Sequence, residues 1–355
     1  MTTQPESWMR EALTEGRKGL GLTAPNPSVG AVVVKNGKII GRGYHHKAGT
    51  PHAEPLALKD AGMAAKGATL VVTLEPCSTT GQTPPCTEAV IAAGIKKVIV
   101  GCEDPNPAHA GRGLTLLRQA GIEVEVAVLE ADCQDLIRAF THLQLTGRPY
   151  ITLKLACTLD GRIADASGKS QWISGPASRE NVQALRRSVD AMLVGTETII
   201  KDNPSLMPRP QYGHKPLRIV PDRQGRIPLT RKVFTDGFPT LGLLGPDVSA
   251  ARIHCLKKQE IETLQFKRFS WPAMLKKLGD RGVHHILCEG GGQLAGALLK
   301  ADLVQEVHWV VAPKILGASA RPAVGGGWTL DKAPGFKLEA QERLGEDLWL
   351  HLRKV

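Results

Sequence analysis

Short runs of Val, Ile and Leu alternate along this chain with segments whose apolar positions recur every three to four residues. The first kind reads as buried strand and the second as amphipathic helix. From Ser7 to about Gly19 the helical period holds, with Ser7 as the expected N-cap and Arg17 and Lys18 in the last turn, where cations meet the helix dipole. Ala31–Val34 and Ile39–Ile40 flank Lys35-Asn36-Gly37-Lys38. Asn-Gly supplies the positive φ angles of a type I′ turn, so this is a hairpin. Helices are expected over His52–Ala61, Thr87–Ala93, Arg112–Ala120 and Ala131–Leu145, and strands over Thr69–Leu74, Lys97–Val100 and Ile122–Val128. Pro84-Pro85 would fix the entry of the second of these helices.

Thr146-Gly147-Arg148-Pro149 interrupts the pattern and marks a domain boundary, giving domains 1–146 and 147–355. Beyond it Tyr150–Cys157, Ala191–Val194, Leu217–Val220, His285–Cys288 and Val307–Val311 are short buried strands, with Leu348–Leu352 as a last one. Arg179–Arg187 and Gln293–Leu299 have the helical period, while Arg209–Lys215 and Gly325–Gly327 are loops. Strand and helix alternate in both halves, so the fold class is α/β, with mostly parallel sheets covered by helices.

A length of 355 residues exceeds one ordinary core. With 42% hydrophobic and 22% charged residues the composition is globular. No apolar run reaches the ~18 residues of a membrane span, and the polar segment Met1–Arg10 does not read as a secretory signal. Seven unevenly spaced cysteines argue against a disulfide scaffold and for the cytoplasm. Cys102, Cys133, Cys157, Cys255 and Cys288 are expected as small core residues. The net charge of +11 is lopsided: residues 1–146 carry 14 basic and 14 acidic side chains, and residues 147–355 carry 31 and 20. A basic second half suits a phosphate-bearing ligand, or is simply a solvated surface. Aromatics, at 4%, are too sparse for the stacking platforms of single-strand nucleic-acid binders.

The most specific pattern is His52-Ala53-Glu54, then Glu75-Pro76-Cys77, 21 residues after Glu54, and then Cys86. An imidazole and two thiolates make three zinc ligands and leave a fourth position open, the arrangement of a catalytic ion. Such an ion activates water, and Glu54, near His52 but not needed as a ligand, is placed to carry protons. The target would be an amino-substituted heterocyclic carbon, with loss of ammonia, as in zinc deaminases. The usual P-C-x-x-C spacing is stretched, because eight residues separate Cys77 from Cys86. The plainer alternatives are a structural Cys/His site, or a buried histidine with two core cysteines.

These motifs resemble those of the bifunctional deaminase–reductases of riboflavin biosynthesis. The likeness rests on His52-Ala53-Glu54, Thr73–Ser78 and Thr83–Cys86. It extends to Pro25-Asn26-Pro27-Ser28-Val29-Gly30, Gly43-Tyr44-His45, Asp104-Pro105-Asn106-Pro107 and Gly111-Arg112-Gly113. In the second half it rests on Leu153–Ala156, Leu159–Arg162, Ser170–Ile173, Asp202–Leu206, Glu289–Gly292 and Ala312-Pro313-Lys314. The resemblance implies a cytidine deaminase-like αβα domain followed by a dihydrofolate reductase-like α/β domain. It implies zinc-dependent hydrolytic deamination of 2,5-diamino-6-(5-phosphoribosylamino)pyrimidin-4(3H)-one. NADPH-dependent reduction of the ribosyl to a ribityl chain would follow, giving 5-amino-6-(5-phosphoribitylamino)uracil.

By the same resemblance Glu54 is catalytic, and His52, Cys77 and Cys86 hold zinc. NADPH meets Ala156, Trp172, Thr198, Asp202, Gly291, Gly292, Gln293, Leu294, Ala295, Gly296 and Ala297. Substrate meets Ser170, Arg186, Leu206, Arg209 and Glu289, and Asn26 and His45 in the first domain. Arg186 and Arg209 can fork onto a phosphate, and Glu289 can take ribose hydroxyls. The family usually has His and a basic residue where this chain has Thr79 and Gln82, so the phosphate of the first substrate is left to other groups such as Lys47. Asn203 replaces a frequent Asp. A homodimer would be unsurprising. Competing readings are a nucleic-acid deaminase with an RNA-binding appendage, a zinc-stabilised binding protein without turnover, and a deaminase with a degenerate second domain.

Overall fold

Thr3, four residues ahead of Ser7, starts the first helix. Its hydroxyl accepts from the Glu6 N–H while the Glu6 carboxylate accepts from the Thr3 N–H, a reciprocal capping box with Pro5 in the first turn. Two side-chain bonds at Thr3 outcompete the single cap that Ser7 offers. The computed structural model describes residues 3–210 and 214–355. Part of the loop expected at Arg209–Lys215, and Met1–Thr2 of the polar N-terminal segment, lie outside the described residues. Backbone contacts divide the chain into Met1–Gly147 and Arg148–Val355.

The first unit runs α1 (Gln4–Arg17), β1 (Gly30–Lys35), β2 (Lys38–Tyr44), α2 (Ala53–Ala61), β3 (Thr69–Leu74), α3 (Cys86–Ala92), β4 (Lys97–Cys102), α4 (Arg112–Gln119), β5 (Glu123–Glu125), α5 (Glu130–Leu136) and α6 (Arg138–Thr146). The sheet order is β2-β1-β3-β4-β5. β1 is antiparallel to β2 and β3, and β3, β4 and β5 are parallel. Asn36 and Gly37 have φ of 50° and 75° and close the β1–β2 hairpin between paired Lys35 and Lys38. A Cβ on Gly30 would come within 2.0 Å of Ala12 O, and one on Gly43 within 2.4 Å of Ala53 O. Gly43 pairs with Ala31, the neighbour of Gly30. Successive strand positions point to opposite faces, so α1 and α2 rest directly on opposite faces of the sheet. Val32, Val71, Val72, Val98 and Val100 are fully buried between the layers.

Two first-unit expectations are corrected. The strand expected over Ile122–Val128 shrinks to Glu123–Glu125. The single helix expected over Ala131–Leu145 is two helices, because Ile137 leaves the helical region at φ −106°, ψ 13°.

The second unit runs β6 (Tyr150–Thr158), β7 (Arg162–Ala164), α7 (Pro176–Arg187), β8 (Ala191–Leu193), α8 (Thr196–Asp202), β9 (Leu217–Asp222), α9 (Lys232–Thr235), β10 (Thr240–Leu244), α10 (Ala250–Lys258), β11 (Glu262–Gln265), α11 (Trp271–Gly279), β12 (His285–Cys288), α12 (Gly292–Lys300), β13 (Glu306–Ala312), β14 (Arg321–Pro322), β15 (Phe336–Leu344) and β16 (Asp347–Lys354). Nine strands form one sheet, ordered β11-β10-β9-β8-β12-β6-β13-β16-β15. All are parallel as far as β13, and β16 and β15 add on antiparallel. β7 and β14 pair separately. Ile151, Leu153, Leu193, Ile219, Leu241 and Ile286 are buried on the parallel strands. Ligands of such sheets bind beyond the carboxyl ends of the strands, where Ala156, Gly195, Arg223 and Glu289 stand. Cys102, Cys133, Cys157 and Cys288 are buried as expected, but Cys255 is exposed on the outer side of α10. Among the described residues no helix is long and apolar enough to cross a membrane.

Candidate active sites

In the first unit β3 leads into Glu75-Pro76-Cys77, and the loop after it returns at α3. Cys86 is the first residue of α3 and Pro85 its N-cap, so this cysteine lies one position further into the helix than its sequence suggests. His52 is the N-cap of α2, extended at φ −72°, ψ 177°. The His52, Cys77 and Cys86 ligand atoms lie within 4.8 Å of one another. His52 Nδ1 is 3.2 Å from Cys86 Sγ and 3.6 Å from Cys77 Sγ, and the Cys86 N–H donates to Cys77 Sγ at 3.3 Å.

These groups share protons. The Cys77 thiol is pushed down to about 4, first by the hydrogen bond from the Cys86 thiol and, against burial, by His52. Cys86 is driven up as the donor in that bond and by its burial. His52 is raised, chiefly by its hydrogen bond to Cys77, with burial opposing. Two sulfurs and an imidazole nitrogen that converge and share protons with one another are the donor set of a zinc cluster, and a divalent cation replaces those protons.

Glu54 is buried on the first turn of α2, and its carboxyl is pushed up to about 7, first by burial and then by Cys77. Asn26 Nδ2 donates to His45 Nε2 at 3.0 Å, and His45 Nδ1 donates to Pro51 O at 3.2 Å. These two bonds settle the His45 tautomer. The His45 ring stands edge-on to that of His52, with centroids 5.0 Å apart. Asn26, His45, His52, Cys77 and Cys86 are thereby gathered in one place, while Thr79 and Gln82 are exposed.

Glu75, part of the zinc motif in the sequence, is a positioning residue whose role that motif does not state. Its buried carboxylate accepts three backbone N–H groups, from Asp104 at 3.2 Å, Gly111 at 2.9 Å and Gly113 at 2.8 Å. A Cβ on Gly113 would stand 2.1 Å from Pro76 O. The Asp104–Gly113 segment therefore seats against Glu75-Pro76 and fixes the chain just ahead of Cys77.

In the second unit a cavity of about 620 Å³ is lined by Ala156, Ser170, Trp172, Arg186, Thr198, Asp202, Leu206, Arg209, Glu289 and Gly291. A second, of about 680 Å³, shares Ser170, Thr198, Asp202 and Gly291 and adds Gly292, Gln293, Leu294 and Ala297. Ala295 and Gly296 line neither. Ala295 is packed in the core, and a Cβ on Gly296 would meet Gly325 O at 1.8 Å, so both act by letting α12 settle. Gly291 is the N-cap of α12, and the preceding Gly290 takes φ 82° and accepts the Gly195 N–H at 2.7 Å.

Arg186 forks onto Glu289, Nε to Oε1 at 2.6 Å and Nη2 to Oε2 at 2.7 Å, and its Nη1 donates to Met207 O. The fork read from the sequence as a phosphate clamp is thus spent on Glu289. Burial opposes the Glu289 charge, but Arg186 and Lys154 outweigh it and hold the carboxyl below its usual range. Lys154, missed from sequence, lines the same cavity, and burial draws its ammonium below the usual range. The one signal for it is a lone cation inside the apolar run Ile151–Cys157. Trp172 is exposed, with the Arg179 guanidinium 4.7 Å over its ring, and Ser170 Oγ donates to Asp202 at 3.4 Å.

Glu306, His308 and His351 also converge, on β13 and β16. Trp349 Nε1 donates to His308 Nδ1 at 2.9 Å. An indole N–H only donates, so the His308 proton sits on Nε2 and points at Glu306 Oε1, 3.1 Å away. That nitrogen is a donor to a carboxylate and not a metal ligand.

Comparison with known proteins finds a match for each of the two units. The cytidine and deoxycytidylate deaminase zinc-binding region matches residues 2–102, and the RibD C-terminal domain matches residues 149–350. The riboflavin biosynthesis protein RibD of Aquifex aeolicus is 43% identical over 351 residues, covering 98% of each chain. The solved structure of Acinetobacter baumannii RibD superposes with a TM-score of 0.91 at 38% identity over 100% of both chains. The diaminohydroxyphosphoribosylaminopyrimidine deaminase/5-amino-6-(5-phosphoribosylamino)uracil reductase of Thermotoga maritima does so with 0.90 at 35% identity over 99% of each.

Proposed function

The chain belongs to the RibD family, whose members deaminate and then reduce, with NADPH, an intermediate of riboflavin biosynthesis, and from that premise we propose which of its residues carry each step. Deamination is assigned to residues 1–146 and reduction to residues 147–355. The first substrate is 2,5-diamino-6-(5-phosphoribosylamino)pyrimidin-4(3H)-one, and the final product is 5-amino-6-(5-phosphoribitylamino)uracil. The observation that carries the reading is that a three-donor zinc cluster with a buried carboxylate at its edge, and a cavity floored by an Arg–Glu pair, occur in one chain. Using cysteines as zinc ligands also suits the reducing cytoplasm.

His52, Cys77 and Cys86 would hold zinc, which when bound supplies the Lewis acidity that makes a nucleophile of water at neutral pH. Glu54 takes a proton on the attack side and returns it to the departing amino nitrogen. Asn26 and His45, locked to each other, set the edge against which the pyrimidine lies. Glu75 keeps the Cys77 loop in register.

In the second unit Ala156, Trp172, Thr198, Asp202 and the start of α12 would hold NADPH, which when bound supplies the reducing equivalents. Gly291 and Gly292 let a pyrophosphate approach the free N–H groups of α12. Glu289, held rigid by Arg186 and flanked by Lys154, presents charge to the sugar hydroxyls. Ser170, Leu206 and Arg209 complete the substrate wall.

A coupled assay with the diaminopyrimidine phosphate, zinc and NADPH tests this reading. Ammonia release and loss of reduced-nicotinamide absorbance should proceed together, with the second dependent on the first. Ammonia release without any nicotinamide oxidation would leave the second unit a degenerate domain.

A further inference from the structure

Two sequence motifs of the second unit, Leu159–Arg162 and Ala312–Lys314, line neither of its cavities. They meet instead behind a strap that does. Between β7 and α7 the chain runs as irregular backbone over Ser170–Gly175, and Ser170 to Ser174 line the first cavity. Backbone outside helix and sheet must find its hydrogen-bond partners among side chains or water. Here side chains supply them. Lys314 Nζ donates to both Trp172 O and Ile173 O, at 2.8 Å each. Arg179 Nη1 donates to Ser174 O at 2.6 Å, and the same guanidinium covers the Trp172 ring. Asp347, at the start of β16, accepts the Gly175 N–H at 2.7 Å. Lys314 is fixed in turn. Its carbonyl accepts the Leu159 N–H at 2.8 Å, and the Asp160 carboxylate accepts the Leu316 N–H at 3.2 Å and the Gly317 N–H at 2.7 Å. The two motifs therefore build a seat for one ammonium group under two consecutive carbonyls of the strap.

We propose that Lys314 is a positioning residue of the reductase site, which by bridging the Trp172 and Ile173 carbonyls holds the strap in the form that cofactor and substrate both need. The proposal rests on the reading of the second unit as an NADPH reductase. The strap carries the Trp172 indole and the Ser170 hydroxyl, whereas Lys154 stands on β6 and Glu289 directly follows β12. Removing the ammonium leaves those two groups in place and lowers the fraction of molecules whose strap is closed. Apparent affinity falls in proportion to that fraction. Lys314 is exposed, and Arg179 still holds Ser174, so the strap loosens without being lost. The effect expected of two such charge-assisted bonds at a solvated site is about fivefold.

The test combines three measurements on the full chain: calorimetric titration with NADPH without turnover, amide hydrogen exchange of the strap, and steady-state NADPH oxidation with the deaminated pyrimidine. Lys314→Ala should raise the NADPH Kd and both KM values by about fivefold with kcat within about twofold, the pattern of lost ground-state binding. Amides of Trp172 to Ser174 should exchange faster, and ammonia release by the first unit should not change. Lys314→Arg keeps a cation for the two carbonyls and should return to within about twofold of wild type, while Lys314→Met keeps only the stem and should match the alanine variant. That pair decides the matter if Lys314→Ala misfolds. In a Trp172→Ala background, Lys314→Ala should weaken NADPH no further, because both changes act through one contact. Unchanged Kd and exchange in Lys314→Ala, a fall in kcat with Kd unchanged, or full additivity with Trp172→Ala would overturn the proposal. Wild type that neither binds nor oxidises NADPH would sink the reductase reading itself.

Discussion

Replacing Glu75 by Gln isolates the scaffold of the metal loop from the ligands themselves. In wild type one carboxylate oxygen accepts the Asp104 and Gly111 N–H groups and the other accepts the Gly113 N–H. Glutamine has a single acceptor oxygen. In its better orientation that oxygen keeps the Asp104 and Gly111 bonds, and its NH2 then faces the Gly113 N–H. A buried donor left facing a donor costs about 1–3 kcal/mol, and losing the charge weakens the two surviving bonds by up to about 1 kcal/mol together. The sum is roughly 1–4 kcal/mol, carried by the first unit. Because Pro76 and Cys77 follow directly, the loosened loop should also lower zinc affinity by about tenfold, the low end for residues that support metal ligands. Denaturant titration of the full chain reads the first quantity, and competition with a chromophoric chelator reads the second. NADPH binding serves as a control on the second unit. A Glu75→Gln variant within about 0.5 kcal/mol and twofold of wild type would refute the argument that these three N–H bonds hold the loop.

Gly113→Ala attacks the same junction from the other side. Its Cβ would stand 2.1 Å from Pro76 O, so overpacking should cost about 1–3 kcal/mol in the first denaturation transition. Glu289→Ala strands the buried Arg186 charge and should cost the second unit about 3–5 kcal/mol at neutral pH. The Glu289 carboxyl lies below its usual range in the fold. Its contribution is therefore complete above the unfolded carboxylate pKa and fades as pH falls through the lower folded value. Stability curves of wild type and Glu289→Ala across acid pH should converge in that order. Chelation of zinc should stop ammonia release while NADPH oxidation with the deaminated pyrimidine continues.

The hairpin at Asn36-Gly37 was readable because a two-residue turn demands the positive φ that both residues adopt. The metal triad was readable because zinc chemistry restricts the donors to few residue types, whose order along the chain survives folding. The role of Glu75 was not, since its partners are backbone N–H groups far along the chain, which no side-chain pattern encodes. The Arg186–Glu289 pair joins residues 103 apart, and each alone resembles a ligand-facing charge, hence the phosphate-clamp expectation for Arg186. Lys154 was concealed by the apolar strand around it. β15 escaped notice because its residues are mostly exposed and show no alternation. β10, α10, β11 and α11, also unanticipated, fall in a stretch where short apolar runs and helical periods overlap.

The central claim is that two sites in one chain perform the two steps independently, with Glu54 serving only the first. Glu54→Gln, loaded with zinc, tests it most directly when ammonia release from the diaminopyrimidine phosphate and NADPH oxidation with the deaminated pyrimidine are measured on the same preparation. The account predicts wild-type zinc content, ammonia release reduced by about 10²–10⁴-fold, the scale of a lost general acid–base group, and undiminished NADPH oxidation. Ammonia release at the wild-type rate, or loss of both activities with zinc still bound, would contradict it.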